Sequence, residues 1–258
     1  YSNAEQFIAN VEIAHFGENP IANASPYWRL VDTSGKVIAS GDLASRSIPI
    51  GKNIPLGAVK YDLSSIAKAS ALKLIVGLKG TTFENDWDFW VYPSMVSTNV
   101  PKGITISHDW TETESILEKG GKVLFMPRKA DLDWKSPPLD WIPAFWNRLM
   151  NPAWARMLGL WIDKTHPALA DFPTDSFNDW QWTELVRNTR AMNLDLLPKG
   201  IQPIVQPIDD WNRNYKLGLV FEAKVGNGKL LVSTPDVENS LDKRPVACQL
   251  RRSLLDYM

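Results

Sequence analysis

Two different rhythms of apolar and polar positions divide the chain. Up to about residue 95, apolar residues recur at every second position in short runs. Val11, Ile13 and His15 alternate with Glu12, Ala14 and Phe16, the two-residue period of a strand with one buried face. Residues 27–31 predict a second strand, closed by the turn cluster Asp32-Thr-Ser-Gly35. Residues 36–40, 58–63, 72–78 and 87–92 predict four more, the last ended by Pro93. Short strands at this spacing predict an immunoglobulin-like β-sandwich over residues 5–97. The Cys…Trp…Cys pattern of antibody domains is absent.

Beyond Pro101 the rhythm changes. Residues 111–119 predict a short helix with its acidic residues early, where the helix dipole favours them. Gly120-Gly121 stops it, and residues 122–126 predict a buried strand ended by Pro127. Helix, glycine pair and apolar strand are the units of an α/β domain. Residues 158–162 predict a further strand, 180–190 a helix and 203–208 a strand. Residues 216–225 and 229–233 flank Gly226-Asn-Gly228 as a hairpin, and 244–258 predict an amphipathic closing helix. The boundary between the halves falls at 97–102. There is no internal repeat and no low-complexity tract.

The most specific segment runs from Thr165 to Trp182. Its pattern is His166-Pro-Ala-Leu169, then Asp171-Phe-Pro-Thr174, then Trp180-Gln-Trp182. Together with residues 87–93 and 203–209, it resembles the C-terminal region of bacterial glycoside hydrolase family 2 proteins of β-galactosidase-like type. The resemblance spans residues 5 to 258. It implies a parent that hydrolyses terminal glycosidic bonds with retention, in the periplasm or outside the cell, by two Glu of an upstream (β/α)₈ barrel. That barrel takes ~250 residues by itself and has no room here. The resemblance also implies that residues 103–258 form an α/β amidotransferase-like (flavodoxin-like) domain. The expected role is therefore that of an accessory region serving packing, assembly or cleft shaping, with a carbohydrate-binding module as the alternative. The upstream barrel of the same parent, a second copy of the chain and a glycan are the candidate partners.

Charge and composition narrow this further. Lys and Arg number 28 against 29 Asp and Glu, so no basic excess predicts a nucleic-acid or anionic-membrane partner. No apolar run is long enough for a membrane span. Tyr1-Ser-Asn-Ala4 reads as a protease-site cloning scar. The one cysteine, Cys248, excludes an internal disulfide, and its place in the closing helix predicts a buried structural thiol. An active amidotransferase needs a Cys on a tight strand-to-helix turn, and the glycines for such a turn are missing around Cys248. A Gly-x-Ser-x-Gly elbow is also absent.

No catalytic residue, metal site or cofactor is expected. Glycoside hydrolysis needs two carboxylates about 5–5.5 Å apart for retention, or about 6.5–9.5 Å for inversion. The acidic pairs Asp86/Asp88, Asp131/Asp133 and Asp209/Asp210 read instead as solvated or capping groups. His15, His108 and His166 lack metal-ligand spacing, and His166, before Pro167, predicts a turn bonded to backbone. Twelve Trp are many for this length. Trp134, Trp141, Phe145, Trp146 and Trp154 fall in a stretch stiffened by Pro137, Pro138, Pro143 and Pro152, which predicts a long ordered loop. Those five aromatics are the candidate residues for contact with carbohydrate or with another protein surface.

Overall fold

The computed structural model describes residues 1–132, 135–140, 157–187, 189–210 and 213–258. The chain is rich in β-sheet with a few helices, and it divides into two compact units, 1–95 and 96–258.

The first unit holds β1 (Gln6–His15), β2 (Ile21–Ala24), β3 (Pro26–Asp32) and β4 (Val37–Asp42). It continues with β5 (Arg46–Ile48), β6 (Gly51–Asp62), β7 (Ser70–Leu78) and β8 (Glu84–Val91). An antiparallel sheet in the order β4-β3-β7-β8 faces the long β1-β6 ladder. Alternate residues from both turn inward, so Phe7, Val11 and Val59 meet Leu30, Leu72 and Leu74 in one core. The rings of Phe7 and Phe89 stack at 4.4 Å across it. Asp86 and Asp88 share the outward face, and Lys73 Nζ lies 2.9 and 3.8 Å from their carboxylates. Residues 1–4 hydrogen-bond the chain just past β8, with the Asn3 N–H donating to Tyr92 O at 2.8 Å.

The second unit is built on β9 (Ile104–Ser107), β10 (Lys122–Phe125), β11 (Met157–Ile162) and β12 (Met192–Asn193). It is completed by β13 (Pro203–Asp209), β14 (Leu217–Gly218), β15 (Val220–Val225) and β16 (Gly228–Ser233). Its helices are α1 (Trp110–Glu118), α2 (Trp182–Val186) and α3 (Pro245–Tyr257). Six strands form one sheet in the order β11-β13-β15-β16-β10-β9. β9, β10 and β16 run parallel, whereas β11, β13 and β15 add antiparallel to their neighbours. The sheet is therefore mixed. This departs from a flavodoxin-like layout of parallel strands, because β15 and β16 are joined by a tight hairpin and a hairpin can only reverse direction.

α1 covers one face of the sheet, where Leu117 packs with Val123, Phe125, Leu230 and Val232. α3 covers the other, where Leu250 and Leu254 join the cluster of Leu124 and Leu231. Strand residues alternate between these two faces, which accounts for the unbroken apolar runs Val123–Phe125 in β10 and Leu230–Val232 in β16. Asp109 caps α1 by accepting the Glu112 N–H at 2.8 Å. Gly228 lets the β15-β16 hairpin touch the end of α1. A Cβ at this position would lie 2.6 Å from Leu117 Cα and 2.8 Å from Gly121 O.

The helix expected over 180–190 is only the five residues of α2. Arg187 leaves helical geometry at φ −59° and ψ 130°. The chain then pairs with residues 137–139, as Leu139 N–H donates to Thr189 O and Ala191 N–H to Pro137 O. That long-range pairing overrides a local helical period.

Candidate functional site

A cleft of about 1000 Å³ opens at the carboxyl ends of the three parallel strands. His108 follows β9, Met126 to Lys129 follow β10, and Thr234 to Ser240 follow β16. α2 and the residues beside it, Trp180 to Arg187, close the remaining side. Ligands in open α/β sheets bind outside the carboxyl ends of strands, where the connections diverge to opposite faces. The α1 and α3 connections do diverge here, so the topology creates the hollow.

The Thr165–Trp182 segment reaches the cleft at its end, through Trp180 and Gln181. It is fastened to α3, since Ser253 Oγ donates to Ala168 O at 2.8 Å and Gln249 Nε2 to Asp171 O at 2.7 Å. His166 caps the turn at Pro167, its Nδ1 accepting the Ala168 N–H at 3.2 Å, which is the backbone-bonded turn expected of it. The two tryptophans at its end have opposite fates. Trp182 is fully buried, edge-on to Phe172 at 5.4 Å, and its Nε1–H donates to Thr174 Oγ1 at 2.9 Å. Trp180 is 80% exposed and lines the cleft. The backbone between them is held by Asp179, whose carboxylate accepts from Gln181 N at 3.0 Å and Gln181 Nε2 at 2.9 Å. Gln181 Nε2 also donates to Pro173 O at 2.7 Å. Burial pushes the Asp179 carboxyl up to about 6, against the pull of the Gln181 donors.

The carboxylates of the cleft are held in ion pairs. Arg244 Nε donates to Glu184 Oε1 at 2.6 Å, and its Nη1 lies 3.1 Å from Asp236 Oδ2. Arg244 also donates to the carbonyls of Asp236 and Asn239, tying the loop after β16 to α2. Burial of Asp236 would raise its pKa, but the N–H donors of Asn239 and Glu238 and the Arg244 charge outweigh it and hold the carboxyl low. Glu238 sits 2.9 Å from His108 Nε2 and 3.7 Å from Arg251 Nη1. Two of the other Asp pairs are also engaged, Asp86/Asp88 with Lys73 and Asp209/Asp210 with Arg213. Asp209 is buried, and Arg213 Nε donates to its Oδ2 at 2.9 Å. Cys248 is buried in α3, and burial raises its thiol pKa, the state of a structural thiol. Among the described residues no group of three His, Cys, Asp or Glu is arranged to hold a metal ion. No helix among them is long and apolar enough to cross a membrane.

All five aromatic candidates, Trp134, Trp141, Phe145, Trp146 and Trp154, lie outside the described residues, as does Asp133. The residue that the sequence reading misplaced is Trp180, expected to start a helix and instead presented to the cleft. The signal was available in its spacing from Trp182. Residues two apart in helical backbone point roughly 200° apart, so one of such a pair turns outward when the other is core.

Residues 105–258 match the family described as "Domain of unknown function (DUF8487)", and the chain belongs to that family. Residues 5–93 match a second, described as "Domain of unknown function (DUF8488)". No curated protein matches the sequence. The structural neighbours are glycoside hydrolases. One is the β-glucuronidase of Parabacteroides merdae with glycerol in its active site, at 15% identity and a TM-score of 0.27, covering 48% of this chain and 19% of that one. A second structure of that enzyme gives 14% identity and a TM-score of 0.24, with the same coverage of 48% and 19%. A family 123 glycoside hydrolase from Clostridium perfringens gives 9% identity and a TM-score of 0.26, covering 45% of this chain and 26% of that one. The matched parts thus make up 19–26% of the neighbours' length.

Proposed function

We propose that this chain is a non-catalytic accessory region of a family 2-like glycoside hydrolase, and that the cleft beside Trp180 holds a glycan. In this reading the first unit is an immunoglobulin-type spacer and the second a divergent amidotransferase-like domain with a mixed sheet and without nucleophilic chemistry. The resemblance of the Thr165–Trp182 segment supports the parentage. One observation carries the binding role, the exposure of Trp180 on a hydrogen-bonded wall of a cleft lined by both apolar and charged side chains. Among the described residues Trp180 is more exposed than Trp87, Trp110 or Trp161 and, unlike them, it lines the cleft. Its flat apolar face suits the axial C–H face of a pyranose ring, while Thr183, Asn239 and Ser240 line the same cleft with hydrogen-bonding groups. The non-catalytic role rests on the carboxylates. Glu184 and Asp236 share Arg244, and Glu238 lies beside Arg251, so no carboxylate of the cleft stands free as a ready acid or nucleophile.

A second reading, packing against the parent's catalytic barrel, is favoured by Trp161 and Phe177. These two are 46% and 63% exposed and bridge each other at the β11 edge of the sheet. A glycan array separates the two readings. The chain binds a defined set of glycans, Trp180→Ala loses at least about tenfold in affinity, and the melting temperature stays put. Absence of any binding, or binding indifferent to Trp180→Ala, defeats the glycan reading and leaves packing.

A further inference from the structure

We infer that the cleft selects an acidic sugar, one bearing a carboxylate or sulfate group, over a neutral one. This rests on the glycan reading above and deepens it. The whole chain is close to electrically balanced, with 28 basic and 29 acidic residues. The cleft is not. Five Arg and Lys line it against three Asp and Glu, and those three carboxylates already lie beside cations, Arg244 serving both Glu184 and Asp236 and Arg251 serving Glu238. Arg128 and Lys129, on the loop leaving β10, line the cleft and have no carboxylate partner among the described residues. Arg190 also lines it, giving its Nε–H to Ser136 O at 2.8 Å and forming no ion pair among the described residues. Arg187 approaches Asp140 only to 3.8 Å.

Uncompensated cations in a concave surface focus a positive potential into it and attract anions. A guanidinium also presents paired N–H donors that match a carboxylate or sulfate edge. Trp180 on the facing wall supplies the apolar face for the ring of the same sugar. The arrangement therefore offers one platform for the ring and a separate group of charges for its acid substituent.

The test is calorimetric titration of the full chain with three probes: trigalacturonate, its methyl ester, and a sulfated, uronate-free carrageenan tetrasaccharide. Each is run at about 50 and about 300 mM NaCl, since screening weakens exposed charge pairs. Trigalacturonate is expected to bind at least about tenfold more tightly than the ester, the size of one charge-assisted hydrogen bond, with the difference shrinking at high salt. The double variant Arg128→Ala/Lys129→Ala should lose that preference while keeping its melting temperature and its affinity for the ester. Carrageenan binding that the same variant abolishes would extend the preference to sulfate, and carrageenan silence would restrict it to carboxylate. Equal binding of acid and ester, or a preference indifferent to the double variant, overturns the acidic-sugar inference and leaves the glycan reading standing. If no glycan binds at either salt concentration, both fall.

Discussion

Trp182 offers the most quantitative test of how the cleft wall is built. Its side chain is fully buried between Phe172 and the α3 side of the core, and its indole N–H is spent on Thr174. A buried Trp removes roughly 150–250 Å² from water, which at ~25 cal/mol/Å² is an upper figure of about 4–6 kcal/mol. Trp182→Ala should therefore destabilise by ~3–5 kcal/mol, the range for large aromatic truncations. Trp182→Phe keeps a ring against Phe172 but deletes the pyrrole half and the hydrogen bond, for about 1.5–3 kcal/mol. Thr174→Val removes the acceptor, along with long hydroxyl bonds to Asp175 O at 3.3 Å and Asp179 Oδ2 at 3.4 Å, and should cost about 1–2 kcal/mol. Combined with Trp182→Phe, it should show a coupling of about 1 kcal/mol, because the bond can be lost only once. Urea unfolding followed by near-ultraviolet circular dichroism measures all four states. Strict additivity of Trp182→Phe and Thr174→Val would mean that the bond contributes nothing. A Trp182→Ala cost below ~1.5 kcal/mol would remove the ring from the core altogether.

Three further outcomes follow from the same geometry. Gly228→Ala should destabilise by several kcal/mol, about 2–4, because the new Cβ meets backbone atoms of Leu117 and Gly121 that cannot rotate away; a thermal melt matching that of the parent chain would refute the close approach. The Asp179 carboxyl holds its proton to about pH 6 when folded against 3.8 as the ordinary value. Its stabilising contribution is thus full below the lower value and lost as pH rises through the upper one. Two pH units correspond to ~3 kcal/mol, reduced to about 1–2 by partial exposure, so Asp179→Asn should flatten melting temperature against pH between 4 and 6, and parallel profiles would count against it. Arg213→Ala strands the buried Asp209 carboxylate and should cost about 3–5 kcal/mol, while Arg213→Lys should recover only part of this because it lacks the forked donors; a loss under ~1 kcal/mol in urea unfolding would show that the pair is not structural.

Elements with a strong local period were readable from the sequence. The alternation at Val11 and Ile13, the Gly226-Asn-Gly228 hairpin and the closing helix all occupy the expected places. Short elements were not. β9 is four residues, Ile-Thr-Ile-Ser, and only Ser107 is fully buried. Its strand character comes from lying parallel to β10, which no local pattern encodes. β2 and β5 are likewise brief segments defined by pairing with each other. The cleft was illegible for a related reason. Its lining is gathered from four separated stretches by strand order, so apart from the spacing of Trp180 from Trp182 no local pattern marks its residues. The aromatic-rich stretch drew attention because its residues are close in sequence, whereas Arg128, Trp180 and Asn239 become neighbours only in the folded unit.

The position of β16 in the sheet also sets an order of assembly. Lys122 pairs with Lys229 and Phe125 with Val232, so the central parallel ladder joins segments about a hundred residues apart. Closing a loop of that length costs on the order of 4 kcal/mol in chain entropy before any contact repays it, and such non-local parallel pairing is slow. During synthesis β9 and α1 can gather on β10 early, while the other edge of β10 waits unpaired, as an aggregation-prone strand edge does. Only when residues 228–233 emerge can that edge close and the loop after β16 meet Arg244. The cleft is therefore among the last parts of the unit to come into being, and a chain arrested before Gly228 would carry a sticky strand and no cleft.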